Sequence, residues 1–84
     1  MREVTMLIHV RLFAMLRHYL PQAELGTFTA VELPEGATVV DLLAQLGVPA
    51  AEAKVVFVNG RTRPLDWALA PGDEVGVFPP IGGG

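Results

Sequence analysis

The sequence predicts an α+β domain: one mixed β-sheet with a single main helix on one face. Three observations carry that expectation. Segments of apolar and polar alternation recur along the chain, each with one apolar face. Only one segment, Val39 to Leu46, carries an apolar stripe at helical spacing. The strands fall before and after that helix, which packs most economically as two layers with parallel pairing between flanking strands.

The first strand runs from Leu7 to Phe13, with Ile8, Val10 and Leu12 on one side and His9, Arg11 and Phe13 on the other. A short helix of about two turns follows over Ala14 to Leu20, and Pro21 stops it. Gly26 opens a second strand, Thr27 to Leu33, with Thr29, Val31 and Leu33 on one face. Pro34-Glu35-Gly36 closes it as a turn. Thr38 and Asp41 have the spacing of a capping box, and Val39, Leu42, Leu43 and Leu46 form the stripe of the main helix. Gly47 and Pro49 end that helix.

Lys54 to Val58 is a third strand. Asn59-Gly60 is a two-residue hairpin signal, read as turn chemistry alone, with a return strand through Arg61-Thr62-Arg63. Pro64 to Leu69 is irregular, with Trp67 and Leu69 expected to cap the core. After Pro71-Gly72-Asp73, Glu74 to Phe78 is the last strand, with Val75 and Val77 inward and Gly76 and Phe78 outward. Residues 1–78 therefore read as one domain, with residues 1–5 a loose extension ahead of a candidate second start at Met6. Residues 79–84 read as a mobile tail of two prolines, Ile81 and three glycines.

Composition excludes several function classes. With 84 residues there is room for one small domain. Cysteine and serine are both absent, which removes disulfides, thiolate metal sites and the common side-chain nucleophiles. A net charge of −3 and a pI near 5.1 argue against a nucleic-acid partner. His9, Arg11, Arg17 and His18 interrupt the apolar opening, so no membrane span or signal peptide is expected, and a cytoplasmic location follows. His9 and His18 lack metal-ligand spacing, and Asp66, Asp73 and Glu74 lack room for a catalytic pocket. Arg11, Arg17, Arg61 and Arg63 read as ordinary surface charge, with a docking patch for an acidic partner as the alternative.

Two features have sharper readings. The sheet face away from the helix would display Phe13, Phe57 and Phe78, an aromatic surface without an evident partner inside the chain. Phe78 could fold over the sheet edge or serve as an interface anchor. The glycines Gly82, Gly83 and Gly84 could be frayed chain. They could also be an arm that threads a narrow channel and presents a carboxylate to an enzyme, since glycine has no Cβ to collide with the walls.

From Leu7 to Gly84 the chain resembles the MoaD/ThiS family of ubiquitin-like sulfur carriers, which has the β-grasp fold. The resemblance lies in V-R-L-F-A-M-L-R-H-Y-L-P (Val10 to Pro21), A-T-V-V-D-L-L (Ala37 to Leu43), V-F-V-N-G (Val56 to Gly60), L-A-P-G-D-E-V (Leu69 to Val75) and F-P-P-I-G-G-G (Phe78 to Gly84). It implies a carrier, not an enzyme. An E1-like adenylating enzyme would activate the Gly84 carboxylate with ATP and magnesium held by that enzyme, none being bound by this chain. A sulfur donor would then displace AMP to leave a thiocarboxylate. Gly83 would be the obligatory neighbour, and Gly82, Ile81, Pro80 and Pro79 the threading arm. Phe78, Phe57 and Phe13 would dock the partners. The Phe-Pro-Pro end and the short first helix resemble the small subunit of molybdopterin synthase, which implies that enzyme's large subunit as partner. Arg63 to Trp67 and the triple glycine resemble the thiazole carrier, which implies thiazole synthase. Gly82 stands where the molybdopterin family usually has Ala or Thr. A ubiquitin-like modifier and an inert interaction domain are the alternatives.

Overall fold

The computed structural model describes residues 4–21 and 27–80. Its elements are β1 (Thr5–Leu12), β2 (Thr29–Pro34), α1 (Val39–Leu46), β3 (Val55–Val58), β4 (Arg61–Thr62) and β5 (Glu74–Phe78), with 3₁₀ turns at Ala14–Tyr19 and Ala50–Glu52. The sheet order is β2-β1-β5-β3-β4. β1 and β5 run parallel at the centre, and the outer pairings are antiparallel. This is the β-grasp arrangement, with α1 on one face.

Strand parity matches the expectation. Ile8, Val10 and Leu12 of β1, Val31 and Leu33 of β2, Val56 and Val58 of β3, and Val75 and Val77 of β5 are buried against Val39, Leu42 and Leu43 of α1. Burial of this set removes enough apolar surface from water to hold the two layers together. No polar side chain is buried among the described residues, so the core carries no desolvation penalty of that kind.

α1 begins where the spacing indicated. The Thr38 hydroxyl accepts from the Asp41 N–H, and the Asp41 carboxylate accepts from the Thr38 N–H at 2.9 Å. Gly47 ends the helix at φ 80°, in the left-handed region. Its first turn is also held by the 64–69 segment: Val39 and Val40 N–H groups donate to the Trp67 and Leu65 carbonyls. Those donors would otherwise be orphans of a helix terminus.

Four expectations need correction. β1 starts at Thr5, and the Val4 carbonyl accepts from Glu35 N–H, so residues 4 and 5 join the sheet; residues 1–3 lie outside the described residues. β2 starts at Thr29, two residues later than alternation suggested, and Gly26 lies outside the described residues. The segment after β1 is a 3₁₀ turn, not an α-helix. Phe13 N–H is tied to the Val77 carbonyl and Ala14 turns the chain at φ 54°. Fully buried Leu16 must then reach the core within one turn, which the tighter 3₁₀ winding allows. Finally, Leu69 is buried but Trp67 is 37% exposed and covers Arg63 instead of the core.

No helix among the described residues is long and apolar enough to cross a membrane.

Candidate functional site

The helix-free face of the sheet collects the aromatic residues. Phe13 follows the end of β1, Phe57 lies in β3 and Phe78 ends β5. All three are half-buried. β1 and β5 run parallel and adjacent, so their ends emerge side by side. Phe13 and Phe78 stack with centroids 4.0 Å apart and planes inclined by 7°. Phe57 meets Phe78 edge-on, at 5.5 Å and 77°. The Phe78 carbonyl accepts from Lys54 N–H at 2.8 Å, which fixes the strand just before Pro79.

Beside the rings is a cavity of about 300 Å³. Its floor is Gly76, flanked in register by Arg11 and Phe57. A Cβ on Gly76 would lie 3.3 Å from Cε2 of Phe13 and 3.9 Å from Cε1 of Phe78. The missing side chain thus leaves space for the rings to close over the sheet. Arg11 forms another wall, its guanidinium carbon 5.0 Å from the Phe13 centroid and 4.6 Å from that of Phe28. A guanidinium between two ring faces is held electrostatically by both. Glu74 and Gly60 complete the rim.

The structure therefore brings Phe13, Phe57 and Phe78 together. Pro79 and Pro80 continue directly from β5. Ile81, Gly82, Gly83 and Gly84 lie outside the described residues. Sequence reasoning missed Phe28, Gly76 and the aromatic setting of Arg11. The signal for Phe28 was strand parity: if Thr29, Val31 and Leu33 face the core, Phe28 falls on the open face.

Three other polar side chains serve structure. Asn59 does more than turn the hairpin: its Nδ2 donates to Asp73 Oδ1 at 2.9 Å, and its Oδ1 accepts from Glu74 N–H at 3.0 Å. His18 Nδ1 donates to the Met15 carbonyl at 2.6 Å. The Tyr19 hydroxyl donates to Glu52 Oε1 at 3.0 Å, and its pKa is raised by loss of hydration and by the hydrogen bond and charge of Glu52. Among the described residues no three His, Cys, Asp or Glu side chains converge as a metal site.

Residues 5–82 match the Mut7-C ubiquitin family. The chain belongs to that family. It is similar to SAMP1, a small archaeal modifier protein of Haloferax volcanii, at 32% identity and a TM-score of 0.66, covering 93% of this chain and 99% of that one. It is also similar to a putative molybdopterin converting factor, subunit 1, from Pyrococcus furiosus, at 32% identity and a TM-score of 0.68, covering 90% and 99%. Protein RnfH of Burkholderia mallei is 38% identical over an alignment of 64 residues, with 69% of this chain and 58% of that protein covered. The chain thus spans less than two thirds of that relative. As a Mut7-C ubiquitin protein the chain is MoaD/ThiS-like, with the fold of small sulfur carriers and ubiquitin-like modifiers.

Proposed function

We propose that this protein is a sulfur carrier acting through the carboxylate of Gly84. An E1-like enzyme, holding ATP and magnesium, joins that carboxylate to the α-phosphate of ATP and releases pyrophosphate. Sulfide from a sulfur donor then attacks the acyl adenylate and AMP leaves, giving a thiocarboxylate. Its sulfur is nucleophilic and can be handed to a biosynthetic precursor, with molybdopterin synthesis as the favoured pathway and the synthase large subunit as acceptor. Gly83 and Gly82 give an arm without side chains, and Ile81, Pro80 and Pro79 set its exit from the body. Phe78, Phe57 and Phe13 dock the partners.

One observation carries this reading: the aromatic cluster stands on the helix-free face at the root of the glycine segment. A partner gripping that face holds the arm at a fixed distance from its own active centre. The similarity to a putative molybdopterin converting factor supports the pathway.

The test is incubation with the cognate adenylating enzyme, ATP and a sulfur donor, followed by intact-mass analysis. Exchange of one oxygen for sulfur is expected, and removal of Gly83-Gly84 should abolish it while leaving the fold unchanged. The similarity to SAMP1 favours a second reading, a protein modifier. That reading predicts high-mass conjugates through Gly84 instead of a thiocarboxylate. No ATP-dependent change at Gly84 would sink both.

A further inference from the structure

A second surface lies at the opposite rim from the β1 and β2 pair, on the β3–β4 hairpin. β4 is the last strand in the sheet order and only Arg61–Thr62 in length. Arg61 pairs with Val58, and Arg63 N–H still donates to the Val56 carbonyl at 2.9 Å. Extended chain alternates, so Arg61 and Arg63 project to one side and Thr62 to the other, with the two arginines about 7 Å apart along the strand. Both line a groove of about 290 Å³ together with Trp67.

The groove carries a positive excess, two arginines against the one carboxylate of Asp73. The Arg63 guanidinium carbon sits 4.0 Å from the centroid of the Trp67 ring. Its Nε is buried with no hydrogen-bond partner among the described residues, so the ring face, not a polar contact, holds the group in place. Asp73 also lines the groove, but its Oδ1 accepts from Asn59 and its Oδ2 from Ala70 N–H at 2.8 Å. Among the described residues no salt bridge engages Arg61 or Arg63, although the chain carries nine acidic and six basic side chains.

We propose that this groove binds an extended acidic peptide segment of a protein partner, with carboxylates at alternate positions facing Arg61 and Arg63. A planar guanidinium takes a carboxylate through two parallel hydrogen bonds. Carboxylates two residues apart in an extended peptide repeat at the same distance as the two arginines. β4 is the sheet's edge strand, so such a peptide can lie along it as an added strand. A phosphate group is a poorer match. The Asp73 carboxylate stands in the same wall and repels a doubly charged anion more. The first N–H groups of α1, which could have helped hold one, are already bound to Trp67 and Leu65.

Trp67 is the chain's one tryptophan, so its fluorescence reports directly on the groove. The intact protein is titrated with an acetylated hexapeptide alternating Glu and Thr, with its isomer of three Glu followed by three Thr, and with inorganic phosphate. A saturable change is expected with the alternating peptide, about fivefold tighter than with the block isomer or phosphate and weakened by salt. Exposed Arg61→Gln should weaken it about fivefold or more while leaving the thermal transition in place. No saturable response, equal binding of the two peptides, an equal response to phosphate, or undiminished binding by Arg61→Gln would each overturn the proposal. None of these readouts involves Gly84.

Discussion

Phe13 and Phe78 lie face to face, 4.0 Å between centroids, because β1 and β5 are parallel neighbours and both strands run out at the same end of the sheet. The stack ties the loop after β1 to the end of β5, just before Pro79. A double-mutant cycle of Phe13→Leu and Phe78→Leu, followed by urea unfolding, should return a coupling of about 0.5–1.5 kcal/mol. Phe78→Ala should weaken binding to the adenylating enzyme by about 1–3 kcal/mol, a larger effect than on folding. A variant that mainly unfolds would contradict the outward facing of Phe78.

Gly76 separates stability from docking. An added Cβ gains backbone order in the strand, worth about 0.5–1 kcal/mol, but meets the Phe13 ring at 3.3 Å. That ring lies on an open face and can shift by a few tenths of an ångström. Gly76→Ala should therefore change unfolding stability by less than about 1 kcal/mol, while the displaced stack lowers affinity for the adenylating enzyme. Unchanged affinity would mean that the cavity floor plays no part in docking.

The sheet parity, α1 with its capping box, and the convergence of Phe13, Phe57 and Phe78 were all legible in the sequence. Period-two alternation states which side of a strand each residue takes, and three strands of known parity suffice to group three rings. The 3₁₀ turn was not legible, because Ala14 to Tyr19 has ordinary helix formers. What forbids an α-helix there is the tether from Phe13 to Val77, a contact between distant segments. Trp67 was misplaced for a similar reason. Its partner Arg63 is reached only once the 64–69 segment folds back to satisfy the first turn of α1. The extra work of Asn59 was hidden behind its Gly60 neighbour, which already explained it as a turn.

Asn59 should be costly to replace in two separable ways. It sits at φ 52° and Gly60 at φ 84°, the signs a two-residue hairpin requires. Its side chain also joins the hairpin to the start of β5 through Asp73 and Glu74. Asn59→Gly keeps the turn and loses both bonds, at about 1–2 kcal/mol. Asn59→Ala adds the left-handed strain of a Cβ, about 1 kcal/mol more. Chemical denaturation of the two variants checks the order, and equal losses would remove the backbone component.

Ala14 offers the opposite case. At φ 54° it occupies a conformation that disfavours any residue with a Cβ. Ala14→Gly should be neutral or stabilising by up to about 1 kcal/mol, since relieved strain offsets the added freedom of the unfolded chain. Ala44→Gly, at an exposed position of regular α1, should cost about 1 kcal/mol. Thermal melts of both variants compare the same substitution in two backbone settings. Similar losses at both would contradict the turn at Ala14.

Tyr19 is the chain's one tyrosine, so tyrosinate absorbance reads it alone. Loss of hydration raises its pKa above the ordinary 10.0, and the hydrogen bond to Glu52 and the Glu52 charge push in the same direction. The folded protein therefore holds the phenol proton more tightly than the unfolded chain. By linkage, the stability this contributes is fully present below pH 10.0 and disappears as pH rises through the folded value. The titration midpoint of the native protein should lie above that of the urea-unfolded chain. Glu52→Gln should bring it part of the way back, leaving the share due to lost hydration. A native midpoint at or below the unfolded one would show that Tyr19 does not donate to Glu52 in solution.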